Sequence, residues 1–314
     1  MDLKNIKIGV LAGGVSGERD VSLESGKQVM DSFYRSGVNA VFIDLKTTDK
    51  EKIKVLLEAN SVDLAFIALH GEFGEDGKIQ RMLSEIGLPY TGSLPLASHL
   101  AMNKITSKLI FRKNGILTAS FRLWRSKGRV PNNVVLPAVV KPYFSGSSLG
   151  VSIVREFSQL QKALDLALSV GDIALIEDYI SGRELTVGVL NGKALEVVEI
   201  TPKCDYFDYQ TKYSDGNVVF NVPAKLDNHI YSKIQSIALA AHNALGCRHF
   251  SRVDMLLSGD HTIYVLEVNA IPGLTSHSLF PLSAKHQGIS FDNLILQMTR
   301  LALDGTRTQK KISV

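Results

Sequence analysis

The chain has 314 residues, 45% of them hydrophobic and 21% charged, with a formal net charge of +4. This composition, with polar and apolar residues interleaved, excludes a disordered or fibrous protein, and the scattered lysines and arginines leave no basic stripe for nucleic acid. The two cysteines, Cys204 and Cys247, have no CxxC spacing or histidine cluster beside them, so neither a disulfide framework nor a structural zinc site is indicated.

The first hundred residues alternate strand and helix patterns. Strands are predicted over Ile6 to Leu11, Ala40 to Leu45 and Leu64 to Leu69, with helices ending near Tyr34 and Asn60 between them. Such alternation predicts a parallel sheet, whose ligands gather at the carboxyl ends of the strands. Gly13, Gly14 and Gly17 follow one such end and His70 another. The strand pattern begins too early to leave room for a signal peptide, and no apolar run approaches the roughly 20 residues of a membrane span. A cytoplasmic protein with no membrane partner is expected.

A helix is expected from about His99 to Gly115, then a proline-flanked connection over Val130 to Pro137 and a short strand, Ala138 to Pro142. A strand at Gly150 to Val154, a helix at Phe157 to Val170 and an apolar strand at Ile173 to Tyr179 follow. Lys141 ends one strand, and Ser145-Gly146-Ser147-Ser148-Leu149-Gly150 joins it to the next. No GxxxxGK[ST] is present, yet the N–H groups and hydroxyls of such a loop can close over phosphate oxygens. An ordinary surface hairpin is the plain alternative. Glu177 and Glu184 could accept from ribose hydroxyls or an adenine amino group, or simply be solvated.

Strands Glu184 to Leu190 and Lys193 to Thr201 meet at Asn191-Gly192, a strong hairpin signal. Residues 203–225 are polar, aromatic and irregular, as in a functional loop, and a helix over about Asn228 to Leu245 follows. Thr306 to Val314 reads as a frayed tail. No internal repeat is present.

Ser251 to Leu257 and Thr262 to Val268 form a second hairpin, with an even-length turn expected at Gly259 and Asp260. Side chains alternate with period two, so Arg252, Asp254, Glu267 and Asn269 are expected on one face. Two carboxylates and an amide oxygen suit magnesium held together with nucleotide phosphates. A solvated face in which Arg252 pairs with Asp254 or Glu267 is the alternative. The next residues, Asn269-Ala270-Ile271-Pro272-Gly273-Leu274-Thr275, read as a tight turn in which the Gly273 N–H, beside Arg252, could stabilise an acyl oxyanion.

The spacing of Lys104, Lys141, Glu177, Asp254, Glu267 and Asn269 resembles the ATP-grasp superfamily. The finer resemblance is to the D-alanine:D-alanine ligases. It runs from Leu11-Ala12-Gly13-Gly14-Val15-Ser16-Gly17-Glu18-Arg19, through His70-Gly71-Glu72-Phe73-Gly74-Glu75-Asp76-Gly77, to Thr275-Ser276-His277-Ser278. The resemblance implies a three-domain α/β ATP-grasp fold in which an N-terminal parallel-sheet domain, 1–98, is followed by two α+β domains, 99–180 and 181–314, that clasp ATP.

It further implies that Glu18 holds the ammonium of a first D-alanine and that His70 lies close to its carboxylate. By the same resemblance Lys104, Lys141 and Lys212 neutralise phosphates, Glu177 and Glu184 contact adenine and ribose, and the backbone at Tyr179 and Ile180 frames the adenine. Tyr213, on a mobile loop, would bond with Ser147 and Glu18. Asp254, Glu267 and Asn269 match ligands of two magnesium ions, with manganese as a substitute, Arg252 and Gly273 match oxyanion donors, and Ser278 matches a contact to the second D-alanine. A cytoplasmic homodimer serving peptidoglycan synthesis is implied. Ala270 departs from the family where a hydroxyl residue or proline is usual, and Arg81 where a small residue is common.

The reaction so implied is ATP-dependent ligation through D-alanyl phosphate, and no residue stands out as the base for the second amine. The nearest alternative is a ligase of the same fold whose second substrate is D-lactate or D-serine; Tyr213 argues against D-lactate. A nicotinamide oxidoreductase is disfavoured because Ala12 before adjacent glycines breaks the GxGxxG pattern. A non-catalytic nucleotide-binding module would not need the oxyanion donors.

Overall fold

The computed structural model describes residues 3–125, 131, 133–202 and 218–312, without the side chains of residues 4 and 305–312. Three sheets organise them. The first is parallel, with β1 (Ile8–Gly13) between β2 (Ala40–Leu45) and β3 (Leu64–Ile67). Strand β1 starts two residues later than its apolar alternation suggests. Leu3–Asn5 form a short 3₁₀ turn, and the ladder begins only at Ile8, whose N–H donates to the Asn39 carbonyl. Helix α1 (Arg19–Arg35) lies against β1 so closely that a Cβ on Gly26 would sit 2.4 Å from the Ala12 Cβ. Helices α2 (Lys50–Ala59) and α3 (Lys78–Glu85) complete this region, the latter absent from the sequence reading.

The single helix expected over 99–115 is two helices, α4 (Pro95–Met102) and α5 (Lys104–Lys113). The break is at Asn103, whose backbone is extended and whose side chain accepts from the Thr106 N–H at 3.1 Å, capping α5. Core residues Ala101, Phe111 and Ile116 pack with Leu185, Val253 and Met255 of the C-terminal sheet.

The second sheet is antiparallel, in the order β4 (Phe121–Trp124), β7 (Ala174–Asp178), β5 (Ala138–Pro142), β6 (Ser152–Val154), with helix α6 (Phe157–Val170) on it. β4 is an addition to the sequence reading. The third, also antiparallel, runs β10 (Val218–Asn221), β9 (Lys193–Pro202), β8 (Gly182–Leu190), β11 (Phe250–Ser258), β12 (Ile263–Asn269). β10 corrects the irregular reading of 203–225 at its end, since Val218 pairs with Pro202 in an edge strand. Residues 203–217 lie outside the described residues.

Helix α7 (Asn228–Ala244) covers this sheet, and α8 (Leu279–His286) follows the site. Helix α9 (Phe291–Ile312) carries the backbone into the expected tail as far as Ile312, correcting the frayed reading there, and packs its Leu294, Ile295 and Met298 against the core around β1 and β3.

Candidate functional site

The β11–β12 hairpin turns through three residues, Gly259, Asp260 and His261, with His261 left-handed at φ 62°, and not through the even-length turn expected. Near the turn, Leu257 faces Ile263 and Met255 faces Val265. Continued, that register would send Glu267 and Asn269 to the opposite face from Asp254. A β-bulge between Asp254 and Met255 inserts Leu266 as an extra residue, so that Asp254 faces Glu267 and Arg252 faces Asn269. The four polar groups therefore do share a face, by a route the sequence reading did not foresee.

On that face Arg252 grips Asp254 in a fork, Nε to Oδ1 at 2.8 Å and Nη2 to Oδ2 at 2.7 Å. Asn269 Nδ2 donates to Asp254 Oδ2 at 3.0 Å and Thr186 Oγ1 to Oδ1 at 2.6 Å. Glu267 meets Lys104, with Nζ to Oε2 at 3.0 Å, and the same Nζ donates to the Ser145 carbonyl at 2.7 Å. Lys104 gets there because it is the first residue of α5, after the break at Asn103, with its backbone N–H on the Tyr143 carbonyl at 2.9 Å. Burial is the largest influence on the Glu267 pKa and works to raise it, but Lys104 and Lys141 together turn the net shift downward. A cleft lined by Lys104, Lys141, Glu184, Asp254 and Glu267 results, with Ser145, Gly146, Ser148 and Leu149 of the serine-glycine loop at its wall.

Below the cleft, Glu177 is buried between two lysines: Lys141 Nζ lies 3.0 Å from Oε2 and Lys108 Nζ 3.1 Å from Oε1. Burial opposes its charge, yet Lys141 and Lys108 hold its pKa below the usual carboxylate value. Tyr179 donates its N–H to the Pro137 carbonyl at 3.3 Å, and the Arg155 guanidinium lies 5.5 Å from its ring centre. Ile180 follows it, half-buried.

At the carboxyl ends of the parallel strands, the Ser147 hydroxyl donates to Glu18 Oε2. Gly146 is the close approach that permits this, since a Cβ there would lie 2.7 Å from Glu18 Oε1. Burial, and then the neighbouring Glu75, raises the Glu18 pKa. His70 is buried, with Nδ1 3.3 Å from Glu75 Oε1 and Nε2 3.0 Å from Ser25 Oγ. Ser25 Oγ also accepts from the Leu274 N–H at 3.4 Å, which ties His70 to the turn after β12. In that turn Ser278 Oγ accepts from the Thr275 N–H at 3.1 Å and lies 2.8 Å from Thr275 Oγ1. Gly273 lies so close that a Cβ would come within 2.8 Å of Ser278 Oγ.

Of the residues picked out by sequence, Glu18 and Ser147 meet, as do Lys104 and Glu267, Lys141 and Glu177, and Arg252, Asp254 and Asn269. Lys212 and Tyr213 lie outside the described residues. Ser25, Glu75, Lys108 and Thr186 were missed. For Lys108 a faint signal exists, since Lys104, Lys108 and Phe111 fall on one stripe of α5. Glu75 lies inside the quoted His70 motif without a role.

The family model described as D-ala D-ala ligase C-terminus matches residues 111–300, and that described as D-ala D-ala ligase N-terminus matches 46–93. The D-alanine–D-alanine ligase of Citrifermentans bemidjiense is 46% identical over 96% of this chain and 97% of its own. That of Pelobacter propionicus is 43% identical over 94% and 95%. The solved structure of the Bacillus anthracis D-alanine–D-alanine ligase complexed with ATP has a TM-score of 0.84 and 33% identity, covering 97% of this chain and 99% of that one.

Proposed function

The chain belongs to the D-alanine–D-alanine ligase family, and on that premise we propose how its own side chains join two D-alanines with ATP. It is an ATP-dependent ligase. The observation that carries the residue assignment is the convergence of Lys104, Lys141, Glu184, Asp254 and Glu267 on one cleft beneath the serine-glycine loop.

A carboxylate oxygen is a poor leaving group, so the first D-alanine takes the γ-phosphoryl group of ATP before a peptide bond can form. Glu18 receives its ammonium. A carboxylate whose charge is penalised by burial and by Glu75 gains most from a cation beside it. His70, held in place by Glu75 and Ser25, faces the substrate's carboxylate end. Lys104 and Lys141 neutralise the phosphates, while Glu184 and the strand end at Glu177, Tyr179 and Ile180 form the nucleoside side. Lys212 and Tyr213 complete the set on residues outside those described.

Asp254, Glu267 and Asn269 fit magnesium. Their donors are hard oxygens, and Asp254 and Glu267 stand opposite each other across the ladder, where like charges repel unless cations intervene. Arg252 and Lys104 supply that charge in this structure. Two magnesium ions held there, with manganese as the substitute, would neutralise the migrating phosphoryl group. The amine of the second D-alanine then attacks the acyl carbon, phosphate leaves, and the Gly273 N–H and Arg252 stabilise the oxyanion. Ser278 takes the second carboxylate. Closing the serine-glycine loop excludes the water that would hydrolyse the acyl phosphate.

Division of the chain near residues 98 and 180 belongs to the same reading. It is supported by the three sheets drawing their strands from 8–67, 121–178 and 182–269, although α4, α5 and α9 pack across those limits. A cytoplasmic homodimer rests on the family; among the described residues no helix is long and apolar enough to cross a membrane.

The test is to supply ATP, magnesium and D-alanine and measure ADP together with the mass of any dipeptide. ADP matched one-for-one by D-alanyl-D-alanine is expected, and chelation of the metal abolishes it. ADP release indifferent to D-alanine would overturn the substrate assignment.

A further inference from the structure

Lys108 is fully buried, one helical turn beyond Lys104 on α5, and takes no part in the mechanism above. Its Nζ is held at 2.8 Å by Thr118 Oγ1 and lies 3.1 Å from Glu177 Oε1. The other Glu177 oxygen, Oε2, is 3.0 Å from Lys141 Nζ. Glu177 is on β7 and Lys141 on the adjacent β5, offset diagonally, since Glu177 pairs with Val139 and Lys141 with Leu175. Each carboxylate oxygen is thereby assigned to a different lysine.

A buried lysine bears a large desolvation penalty and is kept only where something fixes it. Two ammonium groups around one carboxylate leave one net positive charge beneath the cleft. Were Lys108 absent or neutral, both Glu177 oxygens would be free to turn toward Lys141, and the remaining pair would be neutral.

We propose that Lys108 is a positioning residue for ATP: by occupying one oxygen of Glu177 it holds Lys141 at the phosphate cleft and keeps the cluster positively charged. The proposal rests on the reading of Lys141 as a phosphate contact. Burial, only partly offset by Glu177, brings the Lys108 pKa down to about 8, and Lys141 and Arg112 push the same way. The charged groups facing it are Glu177 from β7, Lys141 from β5 and Arg112 from its own helix, the last stacked over Phe121.

The experiment measures KM for ATP and for D-alanine in the wild type, Lys108→Met and Lys141→Ala, with thermal unfolding of each. For Lys108→Met the ATP KM rises about tenfold while the D-alanine KM stays unchanged, the expected scale for a buried charged contact. In the wild type the ATP KM also climbs as pH passes through about 8, and in Lys108→Met it is flat there. Equal rises in both KM values, or an unchanged ATP KM, would overturn the proposal. If Lys108→Met does not fold, the wild-type profile decides: a rise through that pH supports the proposal and a flat profile overturns it. An unchanged ATP KM in Lys141→Ala would instead overturn the phosphate reading itself.

Discussion

Glu267 faces Asp254 across the β11–β12 ladder because Leu266 is inserted between the paired residues as a bulge. The odd-length turn alone would put Glu267 on the wrong face. Deleting Leu266 closes the bulge into a regular ladder: with Val265 still opposite Met255, Glu267 becomes the next residue, opposite Asp254, and Asn269 stays opposite Arg252. Ligase activity should therefore fall by no more than about tenfold, because the polar groups keep their common face. Circular dichroism and the thermal midpoint would establish that the sheet persists. A loss of about 10³-fold with the sheet intact would mean that the local twist of the bulge, and not only the face it selects, positions Glu267 and Asn269.

Ser25 links His70 Nε2 and the Leu274 N–H through one buried hydroxyl. Ser25→Ala leaves both without that partner, at about 1–3 kcal/mol for a buried unsatisfied group. The loss should appear in the KM for D-alanine, about tenfold, with the KM for ATP unchanged. A parallel rise in both constants would count against a local role.

Gly273→Ala introduces a methyl 2.8 Å from Ser278 Oγ. The serine must give way, and with it the bonds to Thr275. The expected result is a reduction of kcat/KM for the second D-alanine by about tenfold to a hundredfold, with a stability change below about 1 kcal/mol. If kcat/KM is untouched, neither Gly273 nor Ser278 sits at the second substrate.

Stability should weaken on acidification through His242. Burial brings its pKa down from 6.5 to about 4, and its Nδ1 lies 2.7 Å from the buried Ser251 Oγ. The unfolded chain binds the proton more readily than the folded one, so this stability is complete above 6.5 and is lost as pH falls below it. At pH 5 the loss is about 2 kcal/mol. His249, brought down to about 3 by burial and Arg248, acts in the same direction. Thermal midpoints of the wild type and His242→Gln at pH 7.5 and pH 5 check this; the variant should lose less, and identical losses would exclude His242.

Where local chemistry closes on itself, the sequence is legible. Strands β2 and β5 and helix α6 have the predicted limits, and Asn191 and Gly192 take the positive φ values, 50° and 70°, that an Asn-Gly hairpin demands. The acidic and amide residues of β11 and β12 were legible as one face for the same reason, period-two alternation. The intervening bulge was not, because an extra Leu266 leaves the apolar pattern plausible in either register. Asn103 breaks a helix whose pattern runs on unbroken, since an N-cap in mid-pattern looks like any polar residue. Lys108 reads as surface by type; only Glu177, far along the chain, makes its burial tolerable.

The hydrogen bond from Ser147 to Glu18 joins the loop over the nucleotide cleft to the carboxylate assigned to the amino acid. An incoming ammonium must share Glu18 with that hydroxyl, and a shift of the loop over phosphate alters what Glu18 can offer. Whatever factor nucleotide occupancy contributes to amino-acid affinity is, by thermodynamic reciprocity, the factor returned in the other direction. On the proposed assignment of Glu18 and the serine-glycine loop, the two pockets would report on each other's occupancy through a single side-chain contact.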